Sequence, residues 1–359
     1  MKTASLRRSF LKLNIILLMD KEITIYDIAK DLGVSPTTVS RALNNNPAVN
    51  EKTRKKIFQA ALDMGYQSNV FASNLRSKRT NNIGVIVPRL NSSFQSDVIA
   101  GMEKVANNAG FNLIISQSLE SKEKEIANTI TMFNSRVDGL LVSLASNTES
   151  LDHFAPFIKK NIPLIFYDRI GNFGDIFGVT IDNLNAAYEA TNHLIDQGCR
   201  KIVHVLGNIK ANVYRDRLNG YKSALLDNGL EYEEKLIFHS DLNEEAGAEI
   251  IQKIKKLALP IDGLFVSNDA CAASCIQQLK LEGYRIPEDI AVVGFNNDAI
   301  SRLVEPNITT INYPGYEMGE IAMQNLIDHL DQKSESRLKN THKITLKSEL
   351  FIRESSKLK

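Results

Sequence analysis

Cysteine is scarce in this chain. Its 359 residues include three cysteines, Cys199, Cys271 and Cys275. An odd number of thiols without a C-x-x-C pair excludes a disulfide framework and argues against structural zinc, so the composition indicates a reducing compartment such as the cytoplasm. Cys271 and Cys275 are one helical turn apart, where two buried thiols are a better interpretation than two metal ligands.

The chain also has no long hydrophobic run and no familiar catalytic motif. No uninterrupted apolar stretch approaches the ~18 residues of a membrane span, so no membrane association is expected. P-loop, G-x-G-x-x-G, G-x-S-x-G and HExxH patterns are all missing. Isolated acidic and histidine side chains near strand ends more often orient loops or ligands than catalyse. We therefore expect that the protein is not an enzyme and that it binds no cofactor or metal. The acidic and histidine residues near strand ends are Asp168, Asp182, Asp241, Asp269, His193 and His204.

Charge is present in both signs but unevenly distributed. The first 80 residues hold 14 Lys and Arg against 6 Asp and Glu, whereas the rest of the chain holds 29 against 36. A basic amino-terminal piece on a mildly acidic body favours a first domain that binds an anionic polymer, although a solvated face with no such role is the alternative. With 43% hydrophobic residues, the chain is long enough for two or three domains.

The amino-terminal 65 residues contain an extension and then three helix signals. Residues 1–20 faintly resemble a secretory signal, but polar residues interrupt the apolar run and no cleavage site follows, so we interpret them as a disordered extension. "TIYDIAKDL" begins with capping Thr24 and ends before Gly33, and Ser35 caps "PTTVSRALN". A third helix, "EKTRKKIFQAALDM", completes a predicted helix-turn-helix unit over residues 21–65.

A change of pattern marks the body of the chain. Residues 66–81 are polar and basic and form a predicted linker. Beyond them, continuous hydrophobic runs alternate with amphipathic helices, which predicts parallel sheets covered on both faces. The runs fall into two groups on either side of "GVTIDN", so we expect two doubly wound subdomains with a ligand site in the cleft between them. The runs are "IGVIVP", "NLIISQ", "GLLVSL", "PLIFYD", "KIVHVLG", "LIFHS", "GLFVSN" and "IAVVGFN".

Several motifs, in this order and spacing, resemble the lactose-repressor (LacI/GalR) family of bacterial transcription regulators from about residue 23 to residue 353. They are "TIYDIAKDLGVSPTTVSRALN", "VNEKTRKKI", "MGYQSN", "LRSKRTNNIGVIVP", "VDGLLVS", "IPLIFYDR", "RLNGYKSAL", "IPEDIAVVGFNND" and "ITTINYPGYEMGEIA". The resemblance implies an all-α helix-turn-helix head and an α/β periplasmic-binding-protein-like core, 82–359, of two doubly wound parallel-sheet subdomains. The chain is expected to cross between them near Asp182, Thr310 and Thr341. Subdomain one would hold residues 82–182 plus 311–332, and subdomain two residues 183–310 plus 341–355.

The resemblance also implies a DNA interface. The helix from Pro36 to Asn44 would lie in the major groove, with Pro36, Thr37 and Arg41 reading bases. The alternative for Arg41 is a phosphate contact with no sequence role. Leu75 would wedge into the minor groove as the 66–81 linker folds into a hinge helix, although Ser68 and Phe71 depart from the usual hinge pattern. The remaining expected DNA-binding residues are Thr24, Tyr26, Ser35, Thr38, Ser40, Asn44 and Asn69.

An effector site in the core follows from the same resemblance. Arg217 is the strongest expectation, since an arginine early in a helix suits a hydroxyl or carboxylate ligand. Phe94 either stacks on a sugar ring or packs in the core, and Asp168 with Arg169 either faces the ligand or forms a structural ion pair. The full expected set is Asn91, Ser92, Phe94, Asp168, Arg169, Arg217, Leu242, Asn268, Asp269 and Asn296.

Two departures from the family pattern bear on the ligand. Asn296 stands where sugar-binding relatives often carry an aspartate, and Leu242 stands where an aromatic residue is frequent. Replacing a carboxylate by an amide beside Arg217 removes a repulsive charge, which favours an acidic sugar derivative over a neutral hexose as the effector.

Two other classes of function fit these features less well. A sugar-capture protein for transport would need an export signal and would lack the head, and an enzyme would need a catalytic motif. The favoured prediction is a cytoplasmic repressor of carbohydrate-utilisation genes that binds pseudo-palindromic double-stranded operator DNA and a small sugar-like effector. No heptad segment follows Arg353, so we expect homodimers.

Overall fold

The computed structural model describes residues 23–66, 79–171, 177–331 and 343–357. Contacts divide the chain into two compact units, Met1–Thr80 and Asn81–Lys359. Residues 1–20, interpreted above as an extension, lie outside the described residues, and so does most of the predicted hinge. No helix in these described ranges is both long enough and apolar enough to cross a membrane.

The first unit contains three short helices around a small apolar core. They are α1 (Ile25–Leu32), α2 (Pro36–Leu43) and α3 (Glu51–Asp63), as the capping residues predicted. Gly33 ends α1 with a φ of 61°, a left-handed conformation that glycine adopts without strain, so the chain turns at once into α2. Ile28, Val39 and Ile57 contribute one buried side chain from each helix and fix their relative positions.

The second unit is built from alternating strands and helices. The described helices are α4 (Ser93–Asn108), α5 (Lys122–Asn134), α6 (Ala155–Lys159), α7 (Asn183–Asp196), α8 (Asn212–Asp227), α9 (Ala246–Lys256), α10 (Asp269–Leu281) and α11 (Gly315–Leu330). The described strands are β1 (Asn82–Val87), β2 (Asn112–Gln117), β3 (Gly139–Val142), β4 (Leu164–Tyr167), β5 (Gly178–Ile181), β6 (Ile202–Leu206), β7 (Ile237–His239), β8 (Gly263–Val266), β9 (Ala291–Asn296), β10 (Thr309–Asn312), β11 (Lys343–Leu346) and β12 (Glu349–Phe351).

These strands form two six-stranded sheets, so the expectation of two doubly wound subdomains is confirmed. The first sheet has the order β11-β5-β4-β3-β1-β2, and the second has the order β12-β10-β9-β8-β6-β7. The pairs are parallel except for β12, which runs antiparallel to β10. Helices cover both faces, and the central strands are buried throughout, which is why they read as continuous hydrophobic runs.

The crossings between subdomains need correction at two points. β10 lies wholly in the second sheet, so Ile311 and Asn312 belong to subdomain two and the chain crosses just before α11. β11 pairs with β5 in the first sheet, whereas β12 pairs with β10 in the second, so the last crossing follows Leu346 and does not lie near Thr341. In "KITLKSELF" the consecutive polar residues Lys347, Ser348 and Glu349 interrupt the alternation, but they do not indicate which sheet each strand joins.

Candidate functional site

The exposed face of α2 is the candidate DNA interface of the first unit. Thr37 and Arg41 are both exposed and one helical turn apart, so they share a face, while Val39 and Ala42 on the opposite face are fully buried. Tyr26 on α1 is 69% exposed, so its ring and hydroxyl are accessible to a partner. Pro36 and Ser40 are partly exposed on the same helix.

Other residues of the head that are predicted to bind DNA also stabilise the individual helices. Ser35 caps α2: its Oγ accepts from the backbone N–H of Thr38 at 3.1 Å and lies 2.8 Å from the Thr38 hydroxyl. The Asn44 amide donates to the Ser40 carbonyl at 2.8 Å, and the Thr24 hydroxyl donates to Asp27 at 2.7 Å. These bonds stabilise the ends of α1 and α2, each within its own helix. Asn69 and Leu75 lie outside the described residues.

Asp168 is the most connected polar residue where the two subdomains of the second unit meet. It follows β4, is 5% exposed and has a φ of 57°. Its carboxylate accepts from the Tyr313 hydroxyl at 2.6 Å, and from Ser143 at 3.3 Å and the Gln95 amide at 3.4 Å. Burial raises the pKa of this carboxyl, while Arg169 and Tyr313 act in the opposite direction. Tyr313 lies where the chain leaves subdomain two, so this bond joins the site to a crossing.

Arg217 lies on the other side of the cleft, on α8. It is 3% exposed, and its Nε donates to the Asn183 side-chain oxygen at 2.9 Å and one Nη to the Ser267 carbonyl at 3.0 Å. The guanidinium carbon lies 3.5 Å from the centre of the Phe295 ring. Burial lowers the pKa of this guanidinium. Both acceptors are neutral, so the buried cation keeps donors for an acidic or hydroxyl-bearing ligand.

Arg169 connects the two walls of the cleft. Its guanidinium donates to Glu120 at 2.6 Å in subdomain one, and its carbon lies 5.6 Å from the centre of the Tyr214 ring in subdomain two. Burial acts to lower the pKa of Arg169, but Tyr214, Glu120 and Asp168 together hold it above its ordinary value. Tyr214 packs on the bare backbone of Gly207, where an added Cβ would lie 2.5 Å from the ring.

Two further contacts join the segment before Tyr214 to subdomain one. Lys210 pairs with Glu149 at 3.0 Å, with both side chains more than half exposed. The Asn212 side-chain oxygen accepts from the backbone N–H of Gly171 at 3.4 Å. The loop between β6 and α8 therefore meets the loops after β3 and β4 along one wall of the cleft.

Several predicted effector residues do not present free side chains to the cleft. Leu242 is 7% exposed and packs in the core of subdomain two. Asp269 is fully buried, accepts from Thr310 and the backbone N–H of Asp298, and has a pKa that burial raises well above its ordinary value. Asn268 caps α10 by accepting from the backbone N–H of Cys271.

The residues predicted after β1 have mixed positions. Phe94 is buried and stacks on Tyr313 with ring centres 4.3 Å apart. Asn91 is exposed, and Ser92 caps α4 by accepting from the backbone N–H of Gln95.

The side chain of Asn296 donates to Asp298 at 3.3 Å. A carboxylate therefore lies beside Asn296 after all, two residues along the chain.

Three members of this cluster were not predicted from the sequence. Tyr214 reaches it from the first turn of α8, and Asn183 and Tyr313 reach it from crossings between the subdomains. Nothing in their local pattern distinguishes them from packing residues. His193 and His204, in contrast, make contacts within the folded core. His193 lies 2.7 Å from the Ser356 hydroxyl, and burial lowers the pKa of His204, stacked on Phe265, to about 3.

Asp298 makes the stability of the protein depend on pH. Burial raises its pKa from 3.8 to about 6, and Asp97 adds to the shift. The unfolded chain ionises this carboxyl first, so the folded state loses stability as pH rises from about 4 to about 6. We expect Asp298→Asn to raise the free energy of unfolding at pH 7 by up to about 2–3 kcal/mol and to leave it unchanged below pH 4. Urea denaturation at both pH values measures this effect, with exposed Asp241→Asn as the control. Equal gains at both values would contradict the assignment.

A separate open cavity of about 490 Å³ lies at the carboxyl ends of β6 and β7. Its lining contains none of the residues predicted to bind the effector. Of its three acidic residues, Asp241, Glu245 and Glu249, the last is paired with Lys253 at 2.7 Å. Within the described part of the chain, no group of three His, Cys, Asp or Glu residues is placed to hold a metal ion.

Comparison with protein-family models gives two matches. Residues 24–69 match the family described as bacterial regulatory proteins, lacI family, and residues 191–356 match a periplasmic binding protein-like domain. Among curated relatives, catabolite control protein A of Priestia megaterium is 32% identical, with 87% of this chain and 94% of that protein covered. The transcriptional repressor CytR of Escherichia coli (strain K12) is 31% identical, with 93% and 96% covered.

Solved structures of transcription regulators also match most of the chain. The complex of the transcriptional regulator CelR with cellobiose is 26% identical, with a TM-score of 0.69 and coverage of 93% of this chain and 99% of that one. The lac repressor dimer bound to operator and the anti-inducer ONPF is 24% identical, with a TM-score of 0.81 and coverage of 94% and 99%. The second likeness supports the fold of the head and of both subdomains.

Proposed function

Because the chain belongs to the LacI family of bacterial regulatory proteins, we propose that it represses carbohydrate-utilisation genes under the control of a small sugar-like effector. Membership makes it a DNA-binding transcriptional regulator with a periplasmic-binding-protein-like domain, and not an enzyme. The transport-type alternative is wrong for this chain, since residues 24–69 match the regulator head. Its place of action is the cytoplasm, where operator DNA is found.

One observation carries the proposal of an effector. Asp168 from subdomain one, Tyr313 from a crossing and Arg217 from subdomain two form one buried polar cluster at the carboxyl ends of the strands. Open α/β sheets bind ligands at that edge. The cellobiose complex of CelR supports a carbohydrate, and the cluster suits a neutral sugar or an acidic sugar derivative.

The mechanism follows from the position of this cluster beside the crossings. An effector that contacts both subdomains stabilises one of their relative arrangements and so changes the populations of the core. In a homodimer, that change decides whether the two heads can grip both halves of a pseudo-palindromic operator. Coupling of this kind is typically worth about 1–3 kcal/mol. We propose Thr37 and Arg41, with Pro36, as the base-reading residues, and the hinge with Leu75 as the element between core and operator.

Selection from genomic DNA tests the proposal. The purified full chain is mixed with a pool of genomic fragments, with and without a panel of neutral and acidic sugars, and the bound fragments are sequenced. A short palindrome that one sugar abolishes or creates would support the proposal and identify both operator and effector. No enriched sequence at moderate salt, under any condition, would overturn it.

A further inference from the structure

Two buried polar atoms, one in each subdomain, have no hydrogen-bond partner among the described residues. Ser267, directly after β8, is 2% exposed, and its Oγ makes no hydrogen bond among the described residues. Arg169, after β4, has a side chain that is 11% exposed, and its Nε is likewise unbonded within those residues. Both follow the carboxyl ends of strands, one in each subdomain. A buried donor without a partner costs about 1–3 kcal/mol, so a ligand that pairs it gains affinity.

The acceptors of the same region, in contrast, are already occupied. Asp168 takes hydrogen bonds from Tyr313, Ser143 and Gln95. Glu120 takes them from Arg169 and from the backbone N–H of Ser146, and Asp269 takes them from Thr310 and the backbone N–H of Asp298. A ligand that offers only donors would compete with protein donors at Asp168, Glu120 and Asp269, although the Asp298 carboxylate accepts a single bond among the described residues, from Asn296 at 3.3 Å.

Arg217 adds further unused donors. A guanidinium carries five N–H groups, and two of those on Arg217 go to the neutral oxygens of Asn183 and Ser267. The charge is therefore buried against aromatic faces and neutral acceptors. Burial lowers the pKa of Arg217, and the nearby Asp168 carboxylate acts to raise it without a hydrogen bond to the guanidinium among the described residues. An anion in direct hydrogen-bonding contact stabilises such a cation.

We propose that the effector carries an anionic group, a carboxylate or a phosphate, that is bound between Arg169 of one subdomain and Arg217 with Ser267 of the other. The inference rests on the proposed function and deepens it by naming the chemical class of the ligand. An anion that bridges both subdomains is also the kind of ligand that holds them in one arrangement.

Tyr214 is the specificity-determining residue of this site. Its ring centre lies 5.6 Å from the guanidinium carbons of both Arg169 and Arg217, so one ring contacts the two cations from α8. We expect the exposed part of this ring to contact the sugar ring of a bound ligand while the arginines hold its acid group. The site then selects a sugar acid over a small inorganic anion.

Calorimetric titration of the full chain tests the inference with D-glucuronate, glucose 6-phosphate and glucose. Ser267→Ala removes one open donor and no protein hydrogen bond, so its thermal midpoint should match the wild type. Its affinity for the anion should fall at least about tenfold, the effect of one charge-assisted hydrogen bond. Ser116→Ala is the matched control, because Ser116 also has an unbonded buried hydroxyl but lies on β2. Its affinity should not change.

The arms of the experiment separate the possible outcomes. Binding of glucuronate identifies the carboxylate, and binding of the sugar phosphate identifies the phosphate. Equal affinity for glucose, unchanged anion affinity in Ser267→Ala, or binding of neither anion would overturn the inference. The regulator proposal stands or falls separately on the selection of operator DNA: a palindrome released by a neutral sugar would preserve the repressor and refute the anionic effector.

Discussion

Replacing Arg41 by glutamine will weaken operator binding by about 1–3 kcal/mol for each head if the guanidinium forms a bidentate pair with a base. The side chain is exposed on α2 and shares its face with Thr37, whereas neighbouring Ala42 is buried. Replacement of the Arg41 side chain should therefore leave the folding of the head unchanged. Fluorescence anisotropy on the selected operator and on variants with single base changes measures both affinity and discrimination.

The same titration decides between the two roles left open for Arg41. A base-reading arginine makes one operator position lose its preference in the variant. A phosphate contact instead lowers affinity for all sequences equally and reduces the slope of log affinity against log salt by about one for each contact. Lys55→Gln is the control: this exposed lysine on α3 pairs with Glu51 at 3.1 Å and should have a small effect. Affinity and slope that match the wild type would remove Arg41 from the interface.

Local signals made most of the fold predictable from the sequence. Ser35 before Pro36, and Gly33 with its left-handed φ, set the bounds of α1 and α2 because caps act within one turn. The buried parallel strands were visible as apolar runs for a similar reason, since burial on both faces leaves no polar alternation. The different partners of β11 and β12 were not visible, because the polar residues Lys347 and Ser348 interrupt the alternation without indicating which sheet each strand joins.

The candidate site was only partly predictable because its contacts join distant parts of the chain. Asp168 and Arg217 could be proposed by resemblance, and the structure brings both to the cleft. The bond from Tyr313 to Asp168 spans 145 residues, and the approach of Tyr214 to Arg169 depends on how two loops meet. Residue type and spacing carry no information on such pairs. Asp269 was predicted to bind the effector, and the structure adds a contact that the sequence did not show, since its carboxylate accepts from the backbone N–H of Asp298.

Arg217→Gln should abolish the response to the effector while operator binding persists. The change removes a buried cation whose guanidinium carbon is 3.5 Å from the centre of the Phe295 ring and whose donors reach Asn183 and Ser267. We expect effector affinity to fall at least about 100-fold, on the order of 3 kcal/mol, because the ligand loses several charge-assisted bonds at once. Stability should change less, since the lost hydrogen bonds are offset by relief of a buried charge.

Calorimetry with the effector and anisotropy with the operator together test this prediction. Arg215→Gln is the matched control on the same helix, because the Arg215 side chain is 42% exposed and should leave both affinities unchanged. Arg217→Lys separates charge from geometry: a lysine keeps the cation but cannot reproduce the planar fork, so partial recovery indicates charge and no recovery indicates bidentate binding. A variant that still releases operator at the wild-type effector concentration would show that the effector binds elsewhere, and the cluster around Asp168 would then be a structural joint between the subdomains.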